Sequence, residues 1–217
     1  MAESGIMVYN LDQILVLLTR DPKGEITEML LYMVRHGESL ANAIKMHSGW
    51  ADVPLTEKGI ADAFAAKETL RDIEFDKVYS SDTLRARRTR EIAKPDAVPI
   101  LTPLLRERGT GDLTFQYVDD AIKQYGDLYL NAREKGDYSM FGGESYLDQV
   151  ERVKKFLKIV EKDDCEKIGV FCHEGTINCV YHIITNRDHW EWITCKNGGV
   201  CIFEYKDGVW SLKEWGI

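Results

Sequence analysis

The chain has 217 residues, 44% of them hydrophobic, and a formal net charge of −8 at pH 7. A chain of this size can bury roughly 70% of its unfolded surface without staples, and domains of ~100–200 residues, somewhat more for α/β folds, make one large domain the expectation. The acidic balance argues against a general nucleic-acid or anionic-membrane binder, which would carry basic surface; a local cluster of cations can still hold an anion, because salt screens distant charge within ~8 Å.

Residues 1–28 are read as an N-terminal extension of uncertain structure. The segment "QILVLLTRDPKGEITEMLLYMV" fits a hairpin around "DPKG", while Leu11, Ile14, Leu15 and Leu18 also fit a short helix. The run "ILVLL" is far shorter than the ~20 apolar residues that span a bilayer, and no basic segment precedes it. A soluble, cytoplasmic protein with no membrane partner is expected.

Residues 29–217 are expected to form a single domain. A first strand over 29–34 runs directly into Arg35, His36 and Gly37. Thr56 is placed to cap a helix over 57–71, in which Ile60, Phe64 and Ala65 share a face. A strand over 77–80 precedes a helix that starts at Asp82 or Thr83 and ends near Ala93, before Pro95. A third strand is expected over 100–104. Residues 112–141, rich in aromatic and charged side chains, read as a helical excursion over one end of the sheet, where a substrate lid would sit. Leu147, Val150, Val153, Leu157 and Val160 recur at helical spacing over 146–160 and mark a core-facing stripe. A strand over 168–172, a helix over 174–184, a strand over 200–205 and a closing hairpin around "KDG" complete the pattern. Short apolar runs alternating with amphipathic stretches are the signature of an α/β fold. The cysteines, Cys165, Cys172, Cys179, Cys195 and Cys201, are odd in number and contain no C-x-x-C. They are expected to be reduced, buried thiols rather than a disulfide framework or a zinc site.

Chemistry concentrates at the strand ends. A strand that stops at Arg35-His36-Gly37 delivers a cation and an imidazole to the carboxyl edge of a sheet, where open α/β sheets bind ligands. Gly37 permits a sharp turn there. The strand "KIGVFCHEG" ends likewise, at His173 and Gly175. Arg85 falls in the first turn of the helix after "YSSD", and Glu107 follows the third strand. His36 and His173 have no third ligand at a convincing metal-binding spacing, since His47, His182 and His189 make no H-x₃₋₅-H pattern with them. Two guanidiniums, two imidazoles and a carboxylate instead suit phosphate chemistry.

"RHGESLAN" resembles the signature of the histidine phosphatase superfamily, also called phosphoglycerate mutase-like. "SGWADVPLTEKG", "YSSDTLRARRT", "LLRER", "FGGESYLDQVERV" and "VFCHEGTI" are similar to its later blocks and stand in family order. The resemblance implies a three-layer sandwich, with a mostly parallel central sheet and helices on both faces. It implies that His36 is the nucleophile that carries the phosphoryl group, that Arg35, Arg85 and His173 bind it, and that Glu107 is the general acid and then base. Asn42, Ser48, Gly49 and Glu174 are the further candidates for phosphate or substrate contact. Glu38 is expected to serve structure. No metal and no cofactor enter this scheme, because arginines supply the electrostatics, and the partner is a small phosphorylated substrate rather than nucleic acid.

Several positions depart from the family pattern. Glu174 stands where glycine is frequent, and is expected to turn outward or to read a substrate hydroxyl or amine. Thr83 replaces the usual leucine and is read as a packing change. Phe115 occupies a place often held by glycine, which leaves the shape of that loop open. The implied activity is that of a phosphomonoesterase working through phosphohistidine. A cofactor-primed phosphoglycerate mutase is the rival, disfavoured because the excursion over 112–141 holds only Lys123, Arg133 and Lys135 and no Arg-Arg pair. A non-catalytic phospho-ligand sensor is disfavoured by the presence of both His36 and Glu107.

Overall fold

The computed structural model describes residues 28–186 and 192–217. The hairpin and helix alternatives for the N-terminal extension lie outside the described residues. The strands are β1 (Glu28–Arg35), β2 (Lys77–Ser81), β3 (Ile100–Thr102), β4 (Lys167–Cys172), β5 (Val200–Lys206) and β6 (Val209–Glu214). They form one sheet in the order β3-β2-β4-β1-β5-β6. The first four in that order run parallel; β5 is antiparallel to β1, and β6 closes the expected hairpin. The helices are α1 (Leu40–Ala43), α2 (Glu57–Thr69), α3 (Leu84–Ala93), α4 (Val118–Tyr125), α5 (Asp127–Lys135), α6 (Tyr146–Val160) and α7 (Glu174–Thr185).

The apolar strands are continuous because both of their faces are covered. Along β1, Met29, Leu31 and Met33 point to one side, where Ile168, Val170 and Cys172 of β4 join Val153, Phe156 and Leu157 of α6 and Ile177 and Val180 of α7. Leu30, Tyr32 and Val34 point to the other side, against Ala66 and Leu70 near the end of α2 and Ala93 of α3. This is the three-layer α/β sandwich that the resemblance implies.

Two apolar stripes face otherwise than their spacing suggests. In α2 the buried positions are Gly59, Ala63 and Ala66, while Ile60 and Phe64 are exposed, Phe64 to 52%. Gly59 lies against the Arg-His-Gly turn so closely that a Cβ on Gly37 would sit 2.1 Å from the Gly59 carbonyl oxygen. Backbone contact, which only glycines allow, therefore sets the rotation of this helix. In α6 the stripe holds from Val150 onward, but Leu147 in the first turn is 68% exposed and Phe156 is fully buried. The short α1 has no periodic stripe to betray it. It is set by a reciprocal cap, in which the Ser39 hydroxyl accepts from the Asn42 N–H and Asn42 Oδ1 accepts from the Ser39 N–H.

The excursion over 112–141 contains α4 and α5 and builds a small core of its own from Leu113, Ala121, Tyr129, Ala132 and Phe141. Backbone bonds tie it to the segment after α1: the His47 N–H donates to the Gln116 carbonyl at 2.9 Å, and the Phe115 N–H donates to the His47 carbonyl at 2.8 Å. Phe115 has φ +68° and is 58% exposed. The left-handed conformation costs a non-glycine residue ~1–2 kcal/mol, whereas glycine loses ~0.5–1 kcal/mol in extra chain entropy. Phe115→Gly is therefore expected to raise unfolding stability by about 0.5–1 kcal/mol in urea titrations. An unchanged or lower midpoint would mean that the half-exposed ring contributes packing that outweighs the relieved strain.

Candidate active site

The parallel register determines which residues meet. Arg35 at the end of β1 pairs with Cys172 at the end of β4, and Ser80 of β2 pairs with Phe171. The next residues, His36, His173 and Ser81, therefore reach the same edge of the sheet. The rings of His36 and His173 meet edge to face, 5.1 Å between centroids.

His36 is 4% exposed, and its Nδ1 lies 2.7 Å from the Gly37 carbonyl oxygen. A carbonyl only accepts, so Nδ1 carries the proton and Nε2 presents a lone pair. Burial, and then the charges of Arg85 and Arg35, hold the imidazolium form well below the usual histidine range, with the Gly37 bond opposing. The ring is thus a neutral base with its free nitrogen directed away from the turn. Arg85 donates Nε to that nitrogen at 3.3 Å. Its other nitrogens donate to the carbonyls of Ala51 at 2.9 Å and Gly49 at 2.8 Å. Burial lowers the Arg85 guanidinium to about 10, which leaves it charged at neutral pH.

Arg35 and Glu174 form a buried pair, Nη1 to Oε2 at 3.0 Å. The other Glu174 oxygen accepts from the Cys195 N–H at 2.8 Å. Glu174 therefore turns inward to Arg35 rather than outward, while still lining the cleft described below. Burial raises its carboxyl above the usual range, with Arg35 opposing.

His173 is fully buried, and burial followed by the charges around it keeps it neutral. Its Nε2 lies 3.0 Å from Ser81 Oγ and 3.2 Å from Thr83 Oγ1. Its Nδ1 is buried without a hydrogen-bond partner. Glu107 is fixed by donors on each oxygen: the Arg108 N–H at 2.8 Å and Gln149 Nε2 at 3.3 Å on Oε1, and the Gly175 N–H at 3.2 Å on Oε2. A Cβ on Gly175 would sit 2.1 Å from Oε1, so only glycine admits the carboxylate to the start of α7. Asn42 uses its side-chain oxygen in the α1 cap, which leaves the amide nitrogen for a ligand. Ser48, Gly49 and Glu107 line a small cavity of about 200 Å³ together with His47, Arg108 and Trp192. It shares Arg108, Tyr138 and Trp192 with a larger cleft of about 660 Å³ that also holds Leu130, Arg133, Glu134 and Glu174. Among the described residues, no group of three or more His, Cys, Asp or Glu side chains could hold a metal ion.

The family model of the histidine phosphatase superfamily (branch 1) matches residues 31–217. The chain belongs to this superfamily. Its relatives divide by activity. A 2,3-bisphosphoglycerate-dependent phosphoglycerate mutase of Methylobacterium sp. is 40% identical over 134 residues, which cover 58% of this chain and only 64% of that mutase. An adenosylcobalamin/alpha-ribazole phosphatase of Salmonella typhimurium is 28% identical over 187 residues, covering 84% of this chain and 89% of that enzyme. The crystal structure of a phosphoglycerate mutase from Bacillus anthracis superposes with a TM-score of 0.74 at 21% identity, over 88% of this chain and 93% of that one, and bears out the phosphoglycerate mutase-like fold.

In this member of the superfamily, several supporting residues escape sequence reasoning. Thr89 accepts the Gly37 N–H at 3.0 Å and donates to the Arg85 carbonyl at 2.8 Å, so it ties the Arg-His-Gly turn to α3. Asn197 donates to the His36 carbonyl at 2.9 Å. Arg152 pairs with Glu144 and caps the carbonyls of Leu104, Arg106 and Glu107. The family blocks contain Thr89 and Arg152, but their partners are visible only in three dimensions. Glu38 serves structure as expected, its carboxylate accepting from the Thr56 hydroxyl at 2.8 Å.

The two neutral, buried histidines make stability depend on pH. Unfolded, each titrates near 6.5; folded, each stays neutral well below that. As pH falls below 6.5 the unfolded chain takes up protons that the folded chain does not. Stability is then lost at about 1.4 kcal/mol per pH unit for each histidine. Glu174, shifted upward, runs in the opposite sense: on acidification the folded chain takes up its proton before the unfolded chain does, in the interval above the ordinary value of 4.5, and offsets part of the loss there. Urea midpoints are therefore expected to fall from pH 7 to pH 5.5, with a shallower fall in His36→Asn. Equal slopes in the two proteins would show that His36 titrates alike folded and unfolded.

Proposed function

We propose that this protein is a phosphomonoester hydrolase that works through a phosphohistidine on His36. The observation that carries the reading is the pairing of two neutral imidazoles of opposite presentation: His36 offers a bare Nε2 beside Arg85, and His173 offers a buried, unpartnered Nδ1. A nucleophile and a donor thus converge with two guanidiniums. A phosphoryl dianion between them would draw the Arg85 Nε–H away from His36 Nε2, freeing the lone pair to attack. Arg35 and Arg85 then neutralise the equatorial oxygens on which charge spreads. Glu107 gives its proton to the leaving oxygen. In the second half, water attacks the phosphorus, Glu107 accepts its proton, and the phosphorus–Nε2 bond breaks to release phosphate and neutral His36.

Hydrolysis rather than mutase chemistry is favoured by the walls of the larger cleft. Among the described residues that line it, Arg108 and Arg133 are accompanied by the carboxylates of Glu134 and Glu174, the latter paired with Arg35, so these walls do not form the cluster of cations that would retain an acceptor's carboxylate. Its 660 Å³ lies in the range of roughly 300–1,000 Å³ that suits molecules well above triose size. The 40% identity to a mutase over 134 residues supports the rival reading, and the catalytic set serves either. Given 3-phosphoglycerate and a bisphosphoglycerate primer, the protein is expected to form little 2-phosphoglycerate. In a panel of phosphorylated sugars, nucleosides and amino acids, phosphate should appear in step with dephosphorylated product, and acid-labile phosphate should be trapped on His36. Rapid interconversion of the glycerates without phosphate release would make the protein a mutase.

Glu107→Gln keeps the shape and removes the exchangeable proton. It is expected to cost about 10²–10⁴-fold in kcat with poor leaving groups, and much less with an activated aryl phosphate. An equal loss with both would assign Glu107 to substrate placement instead.

A further inference from the structure

Thr83 occupies the N-cap position of α3 with φ −71° and ψ 145°, yet its hydroxyl makes no capping bond. The open N–H of Leu84 is satisfied from elsewhere, by Asp52 Oδ1 at 2.7 Å. The hydroxyl turns into the protein, where Thr83 is 2% exposed. It lies 3.2 Å from His173 Nε2 and 3.2 Å from Ser81 Oγ, which is itself 3.0 Å from the same nitrogen. Two hydroxyls thus converge on one ring nitrogen, and the other ring nitrogen is buried without a partner. A threonine used for packing alone would have no reason to give up its cap.

We propose that Thr83, together with Ser81, is a positioning residue that fixes the tautomer of His173, so that Nδ1 carries the proton and donates it as a hydrogen bond to the phosphoryl group. The inference rests on the phosphohistidine reading, which gives His173 its ligand. A neutral imidazole has one N–H. If that proton sat on Nε2, Nδ1 would aim a lone pair at phosphoryl oxygens and repel them. A carbonyl or carboxylate at Nε2 would force that wrong tautomer, because neither can donate. Hydroxyls can donate, and two in contact form a short chain in which one donates to Nε2 while the other orients it. The same hydroxyls can accept instead, should His173 become charged as the phosphoryl group moves. Ser81 Oγ also accepts the Thr83 N–H at 3.4 Å, which leaves its own proton a choice between Nε2 and the Thr83 oxygen; the Thr83 hydroxyl, held by the start of α3, settles that choice.

The test uses Thr83→Val, which keeps the shape and loses the hydroxyl, and Thr83→Ser, which restores it. Since Asp52 supplies the cap, both variants should keep the wild-type circular dichroism. Long-range ¹H–¹⁵N spectra of the ligand-free protein should show His173 as the Nδ1–H tautomer in wild type and Thr83→Ser, and as a mixture in Thr83→Val. With an aryl phosphate, Thr83→Val should lose about five- to tenfold in kcat, as for one hydrogen bond to a reacting group, with KM nearly constant and Thr83→Ser close to wild type. An unchanged tautomer in Thr83→Val, or a wild-type His173 protonated on Nε2, overturns the proposal while leaving the phosphatase reading intact. Failure to trap phosphate on His36 overturns the phosphatase reading, and the spectra still decide the tautomer on their own.

Discussion

A buried guanidinium without a carboxylate governs this site. Arg85 is 1% exposed, and no described carboxylate lies within ion-pair distance of it; its bonds go to two carbonyls and to His36 Nε2. Burying a cation is costly unless it is paired. The fold bears that cost through Thr89, which holds the helix against the Gly37 turn, and through the carbonyls of Gly49 and Ala51, which solvate the charge in place of water. The result is a buried positive charge beside a neutral imidazole. On the phosphohistidine proposal, the substrate's dianion is the partner that would relieve it. Burial first, and this charge second, keep His36 and His173 unprotonated.

Arg35 is treated differently. Its charge is shared with Glu174, and the pair is anchored at the Cys195 backbone. On the phosphohistidine proposal, one full cation and one half-neutralised cation would face the phosphoryl group, and the carboxylate on the rim of the cleft would repel anionic groups on the remainder of a substrate. The two arginines beside His36 are thus electrostatically unequal.

Much of this was legible in the sequence because strand ends and chemistry coincide. The apolar runs that stop at His36 and His173 mark buried parallel strands, and parallel register makes their ends level, so two histidines far apart in sequence could be expected side by side. The order of blocks supplied Arg85 and Glu107. What escaped is what the third dimension alone decides. Ile60 and Phe64 suggested an inward face for α2, but the contact between Gly37 and Gly59 requires a glycine face inward and turns the larger side chains out. Leu147 continued a stripe that the first turn of α6 does not bury. Thr83 read as a packing change because its spacing says only that it precedes a helix. Whether its hydroxyl caps that helix or reaches a histidine depends on Asp52, 31 residues earlier in the sequence, taking the capping role.

The excursion is attached to the sheet in a way that keeps the two separable. Its own core around Tyr129 and Phe141 makes it a body distinct from the sheet, and it touches the catalytic edge through the segment around His47. His47 packs on Tyr129 and Tyr138, and its Nε2 meets the Tyr129 hydroxyl at 2.9 Å. Burial, and then Arg133, lowers this histidine to about 4, so it stays neutral throughout the physiological range. This contact is a packed, uncharged joint; a second link is charged, the Arg108 guanidinium donating to the Gly136 carbonyl at 2.9 Å while its N–H holds Glu107. The sheet edge that brings His36 and His173 together and the excursion with its own core are thus separate elements, and the sequence of the second can vary without disturbing the register of the first. On the hydrolase proposal, the edge would carry the phosphoryl chemistry of any monoester that fits, and the excursion would select among them.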